Sequence, residues 1–275
     1  KYRINKTRFV DQTKTVSFIF DSKKYHGFEG DTLASALLSN GIHLVGRSFK
    51  YHRPRGIMSC GSEEPNAICQ INDNTDLTEP NVRATEIELY EGLRASSQNC
   101  WPSLKFDIGG INNLISPFIP AGFYYKTFMW PKSFWKKIYE PLIRLSAGLG
   151  KSPTQPDPDI YDHKHEHCDV LVIGGGISGI ISAKIAAKNN LKTILIEDKN
   201  ILGGSTIYQN NKNFIIDNQK SNEWLMNEIS ELEKLDNLII KTRTSLAAFH
   251  NYNYLLAKEN ISVSYTHLTL PTNAC

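Results

Sequence analysis

Gly174, Gly176 and Gly179 stand in the spacing G-x-G-x-x-G, Glu197 follows them, and a glycine pair, Gly203-Gly204, comes next. Glycine has no functional group, so any chemistry here belongs to the backbone. Gly174 allows a tight turn. Gly176 lets the main chain approach a ligand closely, and Gly179 lets a helix pack tightly on a strand. Backbone N–H groups exposed at such a turn bind anions, and a carboxylate downstream accepts hydrogen bonds from sugar hydroxyls. A pyrophosphate beside a ribose is the ligand that fits, so the pattern reads as a pocket for an adenine dinucleotide.

Those residues need a strand, a helix and a second strand to position them, and the sequence supplies all three. Val170–Ile173 is apolar and β-branched, as a strand buried on both faces should be. An apolar-faced helix follows, opening near Ser178, whose free N–H end carries the positive end of the helix dipole. Leu191–Ile196 is the second strand, and Glu197 ends it. The Glu197 carboxylate repels a 2′-phosphate, which favours NAD or FAD over NADP, while the nearby Lys199 moderates that preference. The fingerprint alone does not separate NAD from FAD. Farther on, Asn222–Lys234 has helical apolar spacing at Trp224, Leu225, Ile229 and Leu232, and Leu238–Thr242 reads as the next strand.

The 275 residues are enough for two domains, and 40% hydrophobic with 21% charged residues describes a globular protein. A net charge of +3 gives no basis for binding nucleic acid or a membrane surface. No stretch has the length and apolarity of a membrane span, and KYRINKTRFVDQ lacks the apolar core of a signal peptide. The chain begins without Met, so a few residues are expected to precede it. Five scattered cysteines form no disulfide framework, and a reducing cytoplasm is the expected compartment.

Residues 1–95 read as a β-grasp, ferredoxin-like domain. Thr15–Phe20 and Lys24–Phe28 form a hairpin around Asp21, and a helix follows with its N-cap in Gly30-Asp31-Thr32 and its stop at Gly41. Asn66–Ile71 and Thr85–Leu89 are the expected further strands. A plant-type cluster domain needs C-x₄-C-x₂-C and a distant fourth cysteine. Here only Cys60 and Cys69 bracket the corresponding loop, so no iron–sulfur cluster is expected and both read as ordinary cysteines. GRSFKYHRPRG (Gly46–Gly56) could receive an anion, but charge runs usually face solvent or a neighbouring subunit, and that reading is preferred.

Residues 96–166 form an arm rich in Phe, Tyr, Trp and Pro, suited to burying aromatics on a domain or subunit interface; Pro120, Lys126, Pro131 and Lys132 exclude a membrane span. His163, His165, His167 and Cys168 make an apparent metal cluster, with the three histidines on one face of a strand, but zinc demands four ligands in a defined geometry and a partly exposed linker is expected here, so no metal is expected. Residues 167–262 form a partial Rossmann-type NAD/FAD-binding βαβ domain, so the whole chain mixes α+β and α/β parts. The last stretch, SVSYTHLTLPTNAC, continues no pattern. Residues 263–275 resemble translated adapter sequence and are expected to be foreign.

Three segments together, GDTLASALLSNGIHLVGRSFKYHRPRGIMSCGSEEPNA, SPFIPAGFYYKTFMWPKSFWKKIYEPLIRLSAGLG and HKHEHCDVLVIGGG, resemble the α subunits of heterotetrameric sarcosine oxidases, over essentially Lys1 to Asn260. The resemblance implies an α, β, γ, δ assembly in which sarcosine is oxidised at FAD in the β subunit. Electrons then pass to FMN at the α–β interface and on to oxygen, giving hydrogen peroxide, and the released carbon passes to tetrahydrofolate in a C-terminal domain of α. It implies NAD in the fold described above, with Ser178 at the phosphates, Glu197, Asp198 and Lys199 along the adenosine ribose, and Ser205 after the glycine pair. The folate domain and the second half of the NAD domain are not expected in these residues, and no catalytic base or nucleophile for amine oxidation is found among them. Two alternatives remain: a flavoprotein reductase, or an amine or opine oxidase subunit, with FAD in this site; and a non-enzymatic β-grasp docking module.

Overall fold

The computed structural model describes residues 2–3, 10–72, 76–118, 122, 128–156, 161–208, 214–261 and 269–274. The chain divides into two units, Lys1–Asp157 and Pro158–Cys275.

In the first unit, β1 (Asp11–Phe20) and β2 (Lys23–Glu29) form an antiparallel hairpin. Asp21 and Ser22 turn it with positive φ at both positions, the geometry that matches the natural twist of paired strands. Helix α1 (Leu33–Ser39) follows, capped as the sequence predicts: Thr32 accepts from the Ser35 N–H, and Ser35 returns the bond to the Thr32 N–H. Its apolar face (Leu33, Ala36, Leu37) is buried with Phe18, Phe20 and Ile71. A Cβ on Gly27 would collide with Leu89 and crowd Ala36, so glycine there permits the close packing.

The sheet is completed by β5 (Ile68–Ile71), β6 (Glu79–Arg83) and β7 (Arg94–Ser97) in the order β2-β1-β7-β5-β6, with β1 and β7 parallel. Thr85–Leu89 is therefore not a strand, although its alternation suggests one. Its inward residues Thr85, Ile87 and Leu89 are buried, but its backbone closes onto the start of α1, with Leu33 N–H donating to Ile87 O and Leu89 N–H to Asp31 O. Alternation reports burial on one side, which a closing loop can provide as well as a strand.

Gly46–Gly56 is a short hairpin of β3 (Gly46–Arg47) and β4 (Pro54–Arg55). Its charges are not all solvated. Arg47 donates to the carbonyls of Leu104 and His52, and His52, buried, pairs its Nδ1 with Asp107 at 2.7 Å. Asp107 also accepts from the N–H groups of Trp101 and Gly109. The preference for a surface loop is thus corrected for these two residues, which brace residues 101–109. Arg53 and Arg55 are exposed, while Lys50 is half-buried with its ammonium over the Tyr51 ring. Beyond it lie α2 (Ile111–Leu114) and α3 (Glu140–Ala147), the latter ended by Gly148 in the left-handed conformation. Trp101, Phe106 and Trp130 are largely exposed. Pro120, Lys126 and the aromatics Phe123, Tyr124 and Tyr125 lie outside the described residues.

In the second unit, β9 (Val170–Ile173), β10 (Thr193–Ile196) and β13 (Leu238–Lys241) form a parallel sheet in the order β13-β10-β9. Helix α4 (Ile177–Lys188) links β9 to β10; a short hairpin of β11 (Ile215–Ile216) and β12 (Gln219–Lys220) and then α5 (Ser221–Leu232) lie between β10 and β13. The strand buried along its whole length is β10; β9 lies at the edge and leaves Ile173 half exposed, which corrects the expectation for Val170–Ile173. Ile180, Ala183, Leu195, Trp224, Leu225 and Leu232 form the core. Lys184 bridges α4 to α5 through Glu228 and Glu231, both at 2.7 Å. A second sheet runs β14 (Thr244–His250), β15 (Tyr254–Glu259), β16 (Thr269–Ala274) and β8 (Lys164–Glu166).

Candidate functional site

The turn after β9 shows why each glycine is needed. Gly174 has φ +98°, open to glycine and strained for other residues. A Cβ on Gly179 would fall on the carbonyl oxygen of Gly174, so α4 could not begin where it does. A Cβ on Gly176 would meet nothing within 4 Å. Gly176 therefore borders open space rather than packed chain, and it is also the N-cap of α4. The first intrahelical bond there runs from Ile180 N–H to Gly176 O, so the N–H groups of Ile177, Ser178 and Gly179 lack helical acceptors. Ser178 itself is exposed. These groups form an anion-binding end beside an open cradle.

Gly203 and Gly204 close the cradle from the other side. Gly203 has φ +130° and donates to Gly175 O at 2.7 Å, while a Cβ on Gly204 would lie 3.0 Å from the Cα of Gly176. Ser205 is exposed on the 3₁₀ turn that follows. The next residue, Thr206, is buried, and its hydroxyl has no partner among the described residues. Sequence reasoning passed over it because nothing distinguishes a threonine after a glycine pair until its burial is known. Gly175 was passed over too, being outside the G-x-G-x-x-G spacing. A Cβ there would strike Leu202 and lie 2.9 Å from Glu197 Oε2.

Glu197 ends β10 as predicted, but its carboxylate turns inward. One oxygen accepts from Gly175 N–H at 2.5 Å and the other from Lys199 N–H at 3.0 Å. It thereby ties the end of β10 to the glycine turn, with a lone pair left on each oxygen. Burial first, then the neighbouring Asp198 carboxyl, push Glu197 up to about 7, against the pull of its N–H donors. Asp198 is exposed, and Lys199 Nζ donates to the Tyr208 hydroxyl at 3.0 Å. Gly174, Gly176, Ser178 and Gly179 on one side, Gly203, Gly204 and Ser205 on the other, and Glu197, Asp198 and Lys199 after β10 are the residues that could hold the ADP portion of a dinucleotide. Among the described residues no three His, Cys, Asp or Glu side chains group as metal ligands. Lys164–Glu166 in β8 instead brings Glu166 to Lys241 at 2.9 Å.

The fold and this site define a two-part chain, a ferredoxin-like domain followed by a nucleotide-binding domain of the flavoprotein oxidoreductase type. Residues 13–100 match the 2Fe-2S iron-sulfur cluster binding domain family, and residues 169–254 match the FAD dependent oxidoreductase family. The chain is similar to sarcosine oxidase subunit alpha. It is 47% identical to that of Rhizobium meliloti over 94% of this chain and 26% of the relative, and 27% identical to that of a Corynebacterium strain over 96% and 22%. The chain thus spans about a quarter of the length of these relatives. Among solved structures, L-proline dehydrogenase from P. horikoshii has the same fold, with a TM-score of 0.57 at 19% identity over 96% of this chain and 40% of that one.

The cluster named in the first family does not fit the residues present. Within 13–100 the cysteines are Cys60, Cys69 and Cys100, too few for the four ligands a [2Fe–2S] centre takes. Cys69 is fully buried in β5, where burial and then Asp21 push its thiol up to about 12, whereas Cys60 is exposed. Among the described residues no helix is long and apolar enough to cross a membrane.

Proposed function

We propose that this chain is the N-terminal part of a sarcosine oxidase α subunit and that its second unit holds NAD. The observation that carries the reading is the open cradle at Gly176, bounded by the left-handed Gly174, the N-terminus of α4 and Gly204. When bound, the nicotinamide group supplies a hydride acceptor or donor. The residues of this chain supply binding: N–H groups of Ile177, Ser178 and Gly179 to the pyrophosphate, and Glu197 with Asp198 to ribose hydroxyls. Similarity to subunit alpha extends the proposal to the assembly, which with β, γ and δ subunits oxidises sarcosine to glycine. There FAD and FMN in or at β deliver electrons to oxygen, giving hydrogen peroxide, and tetrahydrofolate takes up the released carbon. Catalysis then lies outside the residues described. The exposed Trp101, Phe106 and Trp130 support a subunit interface on the aromatic segment. A cytoplasmic setting belongs to the same proposal, supported by five cysteines scattered without the spacing of a disulfide framework.

The test is calorimetric titration of NAD into the full-length α polypeptide. Saturable heat that Gly176→Leu abolishes is expected; no heat in the wild type overturns the reading. A second reading, FAD in this site, draws on the family matched by residues 169–254. Flavin absorbance in purified α without β would favour it.

A further inference from the structure

The loop between β4 and β5 carries Cys60, and Cys69 lies just past its end, yet the group at its centre is Glu64. This side chain is 1% exposed. Its carboxylate gathers four backbone N–H groups: Met58 at 2.8 Å and Ser59 at 2.6 Å on one oxygen, Asn66 at 2.8 Å and Ala67 at 3.1 Å on the other. No cation pairs with it among the described residues. Arg83 reaches the backbone carbonyl of Glu64 and the carboxylate of Glu86 instead, and Thr85 holds the carbonyl of Gly61.

Converging backbone N–H groups make a concavity suited to an anion, and loops that wrap iron–sulfur centres use this device on the cluster and its sulfurs. We propose that the Glu64 carboxylate takes the place of the iron–sulfur centre as the anion around which this loop folds, so that the first unit is complete without metal and relays no electrons. A single carboxylate oxygen can accept two N–H bonds, so two oxygens together satisfy the four converging donors, of which the Ala67 N–H is buried. Burial opposes the charge, but the four donors outweigh it and hold the carboxyl below the ordinary glutamate range. Glutamine in the same space keeps the volume and turns an NH₂ toward two of the N–H groups, so charge and acceptor count can be tested apart from packing. Glu64 is a positioning residue: it sets residues 58–67 of the first unit, whereas the dinucleotide cradle is built from residues of the second. Its failure and that of the NAD reading are therefore distinguishable.

The experiment measures iron and acid-labile sulfide in full-length α purified without oxygen, together with amide hydrogen exchange of wild type and Glu64→Gln. The expected result is no stoichiometric iron or sulfide, and loss of protection by at least about tenfold at Met58, Ser59, Asn66 and Ala67 together. Amides of β1 and β7 should be unchanged. Stoichiometric iron with sulfide, or unchanged protection at the four amides, overturns the proposal. If Glu64→Gln does not fold, Glu64→Asp decides. A folded variant with the four amides still protected supports the role of the anion, and a variant as unfolded as Glu64→Gln overturns it.

Discussion

Gly176 and Gly179 lie in one turn of chain and have opposite tolerances. At Gly179 an added methyl group meets the Gly174 carbonyl, so Gly179→Ala is expected to destabilise the second unit by about 3 kcal/mol in denaturant unfolding. At Gly176 a side chain enters open space. Gly176→Leu is expected to unfold close to wild type while weakening NAD binding at least a hundredfold, about 2.7 kcal/mol, by calorimetry. Glu197 adds a pH dependence. Its folded pKa, about 7, is raised above the ordinary glutamate value, so the folded state binds more protons between the two. The stability it contributes is complete below the ordinary value and is lost as pH rises through about 7. Ribose hydroxyls donating to the ionised carboxylate act in the opposite sense on binding. NAD affinity should fall by up to about tenfold per pH unit below 7, and Glu197→Gln should flatten that profile. An affinity independent of pH in the wild type would remove Glu197 from the ribose site. The glycines and Glu197 were legible as types and spacing. The inward turn of Glu197 and the burial of Thr206 were not, because both depend on which neighbours the fold brings to them.

Among the elements, α1 and α4 show two ways of fixing a helix. The first turn of α1 is closed by the Thr32–Ser35 capping box, so Thr32→Ala should cost about 1 kcal/mol in the transition of the first unit. Helix α4 has no side-chain cap and no acidic residue in its first turn. Leaving that end uncapped keeps its N–H groups available to an anion. It is held instead by core packing and by Lys184 against Glu228 and Glu231 of α5. Lys184→Gln should cost about 1 kcal/mol at low salt and less at high salt, measured by thermal melting. Apolar patterning predicted α1, α4, α5, β10 and β13 within a few residues, since the helices bury an apolar face and β10 is a continuous apolar run buried along its length. It misplaced the strands after β5, where Thr85–Leu89 alternates but closes a loop and Glu79–Arg83 pairs with little apolar pattern.

For the whole molecule, the division at Asp157/Pro158 has a thermodynamic consequence. A ligand that binds only the second unit stabilises that unit alone. NAD at a hundred times its dissociation constant should raise the stability of one calorimetric transition by about 2.7 kcal/mol and leave the other in place. A common shift of both would show that the units unfold together.

The amino-acid sequence alone determined the dinucleotide fingerprint, the helix that opens on it and the resemblance to sarcosine oxidase α subunits, because these rest on local spacing and on residues read in order. The tertiary structure alone decided that Glu197 clasps the glycine turn and that Glu64 gathers the N–H groups of the loop that carries Cys60. In both cases the partners are backbone groups. Every residue but proline carries the same N–H, so no side-chain pattern can announce where those groups converge.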